Sequence, residues 1–262
     1  MNISGTEKIS ERESIIHSLN PLFKIFITIE FLLAVTSVPK YDVSMLIGFL
    51  FYPIILIEMS GISKKLILKR ILITLPFCVF MGISNLVFDS EVWSYIGNIS
   101  ITYGALSFLS LIIKVILTVA SVYILVFTTP MEKIFYGLAK IKVPKIIVVQ
   151  LLLSYRYIFV ILKEVKNMYI AYSLRSGSTK GIKIEHMGTF IGQILLKSFN
   201  NAEEIYYAMK CRGFEGIYPL PDYDNIKLKD YIYIIAAGLS IMVFRIFNIS
   251  LLMNNIFLNI FN

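Results

Sequence analysis

The stretch YGALSFLSLIIKVILTVASVYILVF, residues 103–127, decides the fold class. It carries one charge, Lys114, in a run longer than the about 20 apolar residues that cross a bilayer as a helix. The rest of the chain is of the same kind. Of its 262 residues, 57% are hydrophobic and 16% charged, where a soluble domain has about half and about a quarter. These values exclude a soluble globular protein and intrinsic disorder. Two cysteines exclude a disulfide scaffold, and Cys78 and Cys211 are too far apart for a metal or redox motif, so both are expected to be structural. The expected fold class is all-α and polytopic.

Working outward, four more runs are long enough to cross, with tilt or snorkelling ends. They are Leu22 to Val38, which contains Glu30; Val43 to Ile57; Ile71 to Phe88; and Tyr231 to Ile249, which carries Arg245. The residues before them, 1–21, form a polar leader with Glu7, Lys8, Glu11, Arg12, Glu13 and His17, without the apolar core or cleavage site of a signal peptide. Loop charge sets the orientation. The connection from Ser60 to Arg70 holds Lys64, Lys65, Lys69 and Arg70 and belongs inside; Asp89 to Thr102 holds only Asp89 and Glu91 and belongs outside. Five crossings then place the N-terminus in the cytoplasm and the tail after Ser250 outside. The implied organisation is a leader (1–21), spans one to four (22–130), a cytoplasmic or interfacial region (131–230) and a last span with its tail (231–262).

The formal charge of +8 is concentrated in that third region. Between Pro130 and Gly216 stand thirteen Lys and Arg against six Glu, a net of +7. Flanked by spans, such a block reads as a cytoplasmic segment under the positive-inside rule, not as a nucleic-acid surface. Pro144 to Leu162 is apolar enough to be a sixth crossing, but it contains Gln150 and Arg156, and no second apolar run returns the chain before Tyr231. It is expected to start a helix at Pro144 that runs along the inner face to about Arg175, with the sixth crossing as the alternative. After the breaker cluster 176–181, a second helix is expected from His186 to Arg212, because Ile191, Leu195, Phe199, Ala202, Tyr206 and Met209 recur at steps of three and four.

Both helices end alike. Ala171 stands four residues before Arg175, which is followed by Ser176; Ala208 stands four before Arg212, which is followed by Gly213. Each Ala shares a face with its Arg. The small residue permits close approach, and the Arg offers a planar donor fork suited to a bidentate carboxylate.

These twin ends resemble the coupling helices of the transmembrane T component of energy-coupling factor (ECF) transporters. The second copy with its flanks, from Leu195 to Gly216, is similar to the branch serving cobalt uptake. His17-Ser18-Leu19-Asn20-Pro21-Leu22-Phe23-Lys24 resembles the family's opening, with Asn20 where Asp is usual, and Thr128-Thr129-Pro130 and Tyr155-Arg156-Tyr157 also match. The first tip departs from the pattern, since Ser176 separates Arg175 from Gly177. The resemblance implies a plasma-membrane subunit without chemistry or cofactor of its own. Its coupling helices, through Ala171, Arg175, Ser176, Ala208, Arg212 and Gly213, sit in grooves on two cytoplasmic ATP-binding subunits, and its spans grip a separate substrate-binding S component. Cobalt leads as cargo; nickel or a vitamin is the alternative.

The residues agree with that division of labour. No Walker A pattern, paired carboxylates, Ser/His/Asp set or H-E-x-x-H occurs. His17 and His186 lack neighbours at ligand spacing. A secondary transporter, the competing class, would show a repeat of spans. Glu30 and Lys114 are expected to be the charges deep within spans, as a mutual ion pair, as contacts to the S component, or with Lys114 snorkelling.

Overall fold

The computed structural model describes residues 14, 16–89, 92–96, 99–177, 181–215 and 227–246. Most of the leader lies outside them. The elements in order are α1 (Pro21–Thr36), α2 (Val43–Phe49), α3 (Phe51–Ser60), α4 (Lys64–Phe88), β1 (Val92–Ile96), β2 (Ile99–Thr102), α5 (Tyr103–Thr128), α6 (Met131–Lys140), α7 (Lys145–Ser176), α8 (Ile184–Cys211) and α9 (Leu228–Ile246). The chain is all-α apart from β1 and β2, a short antiparallel ribbon in the acidic 89–102 connection that the sequence did not announce. Two compact units result: residues 1–137 with 223–262, and residues 138–222.

In the first unit α5 packs against α1, α2, α3 and α4, while α9 lies on α1, α2 and α3. The first three expected spans therefore pack around residues 103–128. α1 begins with Pro21 at its first position, and the Asn20 side chain accepts the Leu22 N–H at 3.0 Å, a proline and cap combination favoured at helix starts. The second span is broken at Leu50 into α2 and α3. Pro53 has no N–H to offer the carbonyl four residues earlier, so the ladder cannot run unbroken. The core is aromatic: Phe31 stacks on Tyr52 at 4.5 Å and meets Phe49 edge-on at 5.9 Å, with Leu46, Leu117, Ile124 and Phe127 around them. Lipid tails are as apolar as these side chains, so shape complementarity rather than transfer from water holds the group together.

One boundary differs from the expectation. The cation-rich segment 64–70 is not a loop but the first two turns of α4. Cations oppose the macrodipole at a helix start, and an ion pair from Lys64 to Glu58 at the end of α3 offsets part of that.

Four helical paths are long and apolar enough to cross a membrane: Val43–Ser60, Lys64–Leu86, Tyr103–Thr128 and Lys145–Ser176. The first three are expected spans. The fourth is α7, expected along the inner face, so its length and apolarity alone do not set it apart from a crossing. α1 has 16 residues, and α9 carries Lys229, Asp230 and Arg245.

The second unit holds α7 and α8, matching the helices expected at 144–175 and 186–212. An ion pair between Glu164 and Lys197 joins them. Near their connection the Lys183 N–H donates to the Tyr172 hydroxyl at 3.3 Å, and the Tyr172 and His186 rings meet edge-on at 5.9 Å. No residue of α8 is buried. Its stripe of Ile191, Leu195, Phe199 and Tyr206 is open, so these residues are not core.

Candidate functional site

The two Arg tips are built by different C-caps. At α7, Arg175 sits in the last turn and Gly177 takes the left-handed conformation (φ 60°) that closes the helix. At α8, Arg212 is itself the cap residue. Gly213 follows at φ 79°, its N–H donating to the Lys210 carbonyl at 2.9 Å, while the Phe214 N–H donates to the Met209 carbonyl at 3.1 Å. This pair of bonds is the Schellman motif, and only glycine adopts its turn without strain. Ala171, Arg175, Ser176, Ala208, Arg212 and Gly213 are all exposed. Arg175 lines a shallow hollow with Ala171, Tyr172 and His186, the last from the first turn of α8. Arg212 ends the same helix, so α8 separates the tips by roughly 40 Å at 1.5 Å per residue. They are two sites, not one.

The polar interior of the first unit lies elsewhere. Lys24 on α1 is 3% exposed and Asp230 on α9 is 2% exposed. The Lys24 ammonium donates to the carbonyls of His17 (3.4 Å) and Thr128 (3.2 Å) and to the Thr129 hydroxyl (3.4 Å). One Asp230 oxygen accepts the Asn20 N–H at 2.8 Å; the other accepts the Lys227 N–H at 2.7 Å. The second bond is half of a capping box at the start of α9. The first reaches the cap residue of α1, so one carboxylate serves two helix starts. Nothing in the linear chain groups these residues as a unit. Its signal was present in the Asn20–Lys24 opening and in Thr128-Thr129-Pro130, but no spacing rule joins residues more than a hundred positions apart.

Glu30 and Lys114 do not form the expected ion pair: among the described residues none joins them. The Lys114 ammonium donates to the Val38 carbonyl at 2.5 Å, just past the end of α1. Glu30 stands six residues before that helix ends, roughly 9 Å back along the axis. It lies half-buried against α9, where a side chain at Gly238 would meet its carboxylate at 3.7 Å, in a groove that Arg245 also lines. In a double-mutant cycle, the effects of Glu30→Gln and Lys114→Met on thermal stability in detergent should therefore add to within about 0.5 kcal/mol. A larger coupling would restore the pair. Nor are these two the only charges within spans, since Lys24 is more deeply buried than either.

His17 hydrogen-bonds through Nδ1 to the Ser14 hydroxyl at 2.6 Å, and His186 packs on Tyr172, so each histidine has a structural neighbour. Cys78 is buried, whereas Cys211 is exposed beside the second tip.

Apolar helices around a buried aromatic core, with long exposed helices that end in cationic tips, define the class: a multi-pass α-helical membrane protein. The chain belongs to the CbiQ cobalt transport protein family, which it matches over residues 12–223. It is 28% identical to an uncharacterised protein of Methanocaldococcus jannaschii over 88% of this chain and 82% of that one, and 29% identical to a second from the same organism over 83% and 84%. The nickel permease LarQ of Lactiplantibacillus plantarum is 26% identical over 42% of this chain and 40% of its own length. The chain is thus a component of a transport system, and the family is the one its paired helix ends resemble.

Proposed function

We propose that the chain is the transmembrane coupling component of an ECF-type importer of cobalt ions in the cell membrane. It transmits ATP-driven motion of two cytoplasmic ATP-binding subunits to a membrane-embedded S component that holds the ion. The observation that carries this is the pair of exposed Arg tips roughly 40 Å apart, a separation given by the rise of α8. One acidic groove on one partner cannot take both; two ATP-binding subunits side by side can. The open apolar stripe of α8 supports the same reading, because large apolar side chains left open along one helix face mark a partner or a membrane surface. Nickel is the second reading for the cargo, favoured by the similarity to LarQ.

The test is purification of the tagged chain from its native membrane. Two ATP-binding subunits and a small membrane protein should come with it, and cobalt uptake should require all of them. A chain that purifies alone and moves cobalt without ATP would be a secondary transporter.

In this reading the chain crosses five times with its N-terminus inside, and residues 131–230, α7 included, face the cytoplasm. The distal half of α7 carries Lys163, Glu164, Lys166 and Arg175, and Lys197 of α8 pairs with Glu164; charges of that density are costly inside hydrocarbon. Single cysteines at Ser178 and Ser94 should be labelled by an impermeant maleimide from the cytoplasmic and external sides respectively. External labelling at Ser178 would make α7 a crossing helix.

A further inference from the structure

We propose that the first two turns of α1 form a clamp that passes motion of residues 138–222 into the membrane helices, with Lys24 and Asp230 as its positioning residues; this rests on the coupling function proposed above. The second unit is attached to the first by two passages of chain. One leaves α5 through Thr128-Thr129-Pro130 into α6; the other returns through Lys227 into α9. The start of α1 holds both.

On the outgoing passage, the Lys24 ammonium is bonded to Thr128 and Thr129 at 3.2 and 3.4 Å. One residue further, Ile25 lies so close to α6 that a β-carbon at Gly137 would stand 2.6 Å from its Cδ1. On the returning passage, the Asn20 N–H donates to Asp230 at 2.8 Å, and the rings of Phe23 and Tyr231 meet at 5.9 Å. Residues 20, 23, 24 and 25 of one helix start thus grip the ends of α5 and α9 and the body of α6.

Simple packing would need no charge here. Burying an ammonium and a carboxylate carries a desolvation penalty that well-packed apolar residues avoid, and such groups are kept where they fix one geometry. Hydrogen bonds to charged groups are directional and strong in a low-dielectric site. A lever joined to the membrane helices by loose loops would lose its displacement at the joints. Because the start of α1 holds the end of α5, the body of α6 and the start of α9, displacement of α6 or of the start of α9 is carried to α1 and α5.

The experiment uses the complete transporter reconstituted in liposomes, with ATP hydrolysis and cobalt uptake measured on the same sample. Lys24→Met should retain the ATP-binding subunits and their hydrolysis, while cobalt moved per ATP falls about tenfold, a shift of the size that residues within a coupling network produce. Lys24→Arg, which keeps the charge and the donors, should recover most of the ratio. Thr129→Val, which removes one acceptor, should lie between. An unchanged ratio in Lys24→Met, or uptake that falls only in proportion to assembled complex, would overturn the clamp. If Lys24→Met does not assemble, Thr129→Val decides: an unchanged ratio there overturns it equally. If the unaltered chain fails to bind ATP-binding subunits, the coupling function fails instead, and the two failures are told apart in the first lane of the pull-down.

Discussion

Reversing the charge of Arg212 (R212E) should abolish capture of the ATP-binding subunits and cobalt uptake, whereas R175E should only weaken both. The difference follows from how each tip is held. Arg212 is the cap residue of a Schellman motif whose two backbone bonds and left-handed glycine fix the end of α8. Its guanidinium therefore starts from one backbone geometry and gives up less freedom on binding. Arg175 precedes Ser176, and the turn closes only at Gly177, so its fork leaves the helix one position earlier. Removing one member of a desolvated charge pair at an interface typically weakens binding about a hundredfold or more, and a reversed charge adds repulsion. Lysine at either position should rescue partially, since it keeps the charge and loses the fork. Both tips are exposed and outside the proposed spans, so insertion and thermal stability should be unchanged. Pull-down of the ATP-binding subunits, with uptake in the same membranes, reads the effect. Full binding and full uptake with both arginines reversed would remove the helix ends from the coupling mechanism.

Asp230→Ala should be the most destabilising single truncation in the membrane unit, with a loss of about 3–5 kcal/mol, the range for breaking a buried ionic group by removing one partner. Three penalties coincide. The Asn20 N–H and the Lys227 N–H lose their acceptor at two helix starts, and the buried Lys24 ammonium loses the favourable charge of Asp230. Lys24→Met should cost less. The carboxylate would keep its two N–H donors, and the freed acceptors on His17, Thr128 and Thr129 tolerate losing one partner better than an orphaned N–H does. Thermal unfolding of both variants in detergent gives the comparison. In the double variant the loss should be smaller than the sum, because the ammonium that Asp230→Ala strands is no longer there. Equal losses from both single changes would mean that packing, not the shared carboxylate, holds the helix starts.

Much of this protein was legible in the linear chain. Runs such as residues 103–127 announce membrane helices, because hydrocarbon leaves the backbone no partner but itself. The 3.6-residue period announces α8, and the repeated Ala-x-x-x-Arg endings announce the tips; all of these depend on residues within a few turns of one another. Contacts across the chain were not legible. The sequence offered Glu30 and Lys114 as a pair because both are charges in spans, yet the depth at which α5 meets α1 carries Lys114 to Val38, and only packing sets that depth. The helical start of α4 and the ribbon after α4 are likewise choices among locally permitted conformations. In the linear chain Lys24 stands two residues into the first apolar run and Asp230 one residue before the last, and nothing there joins them. Only the tertiary structure brings the start of α1, the end of α5 and the start of α9 to one point, and a charge buried there must find its partners within the fold, because it is almost wholly removed from the surface.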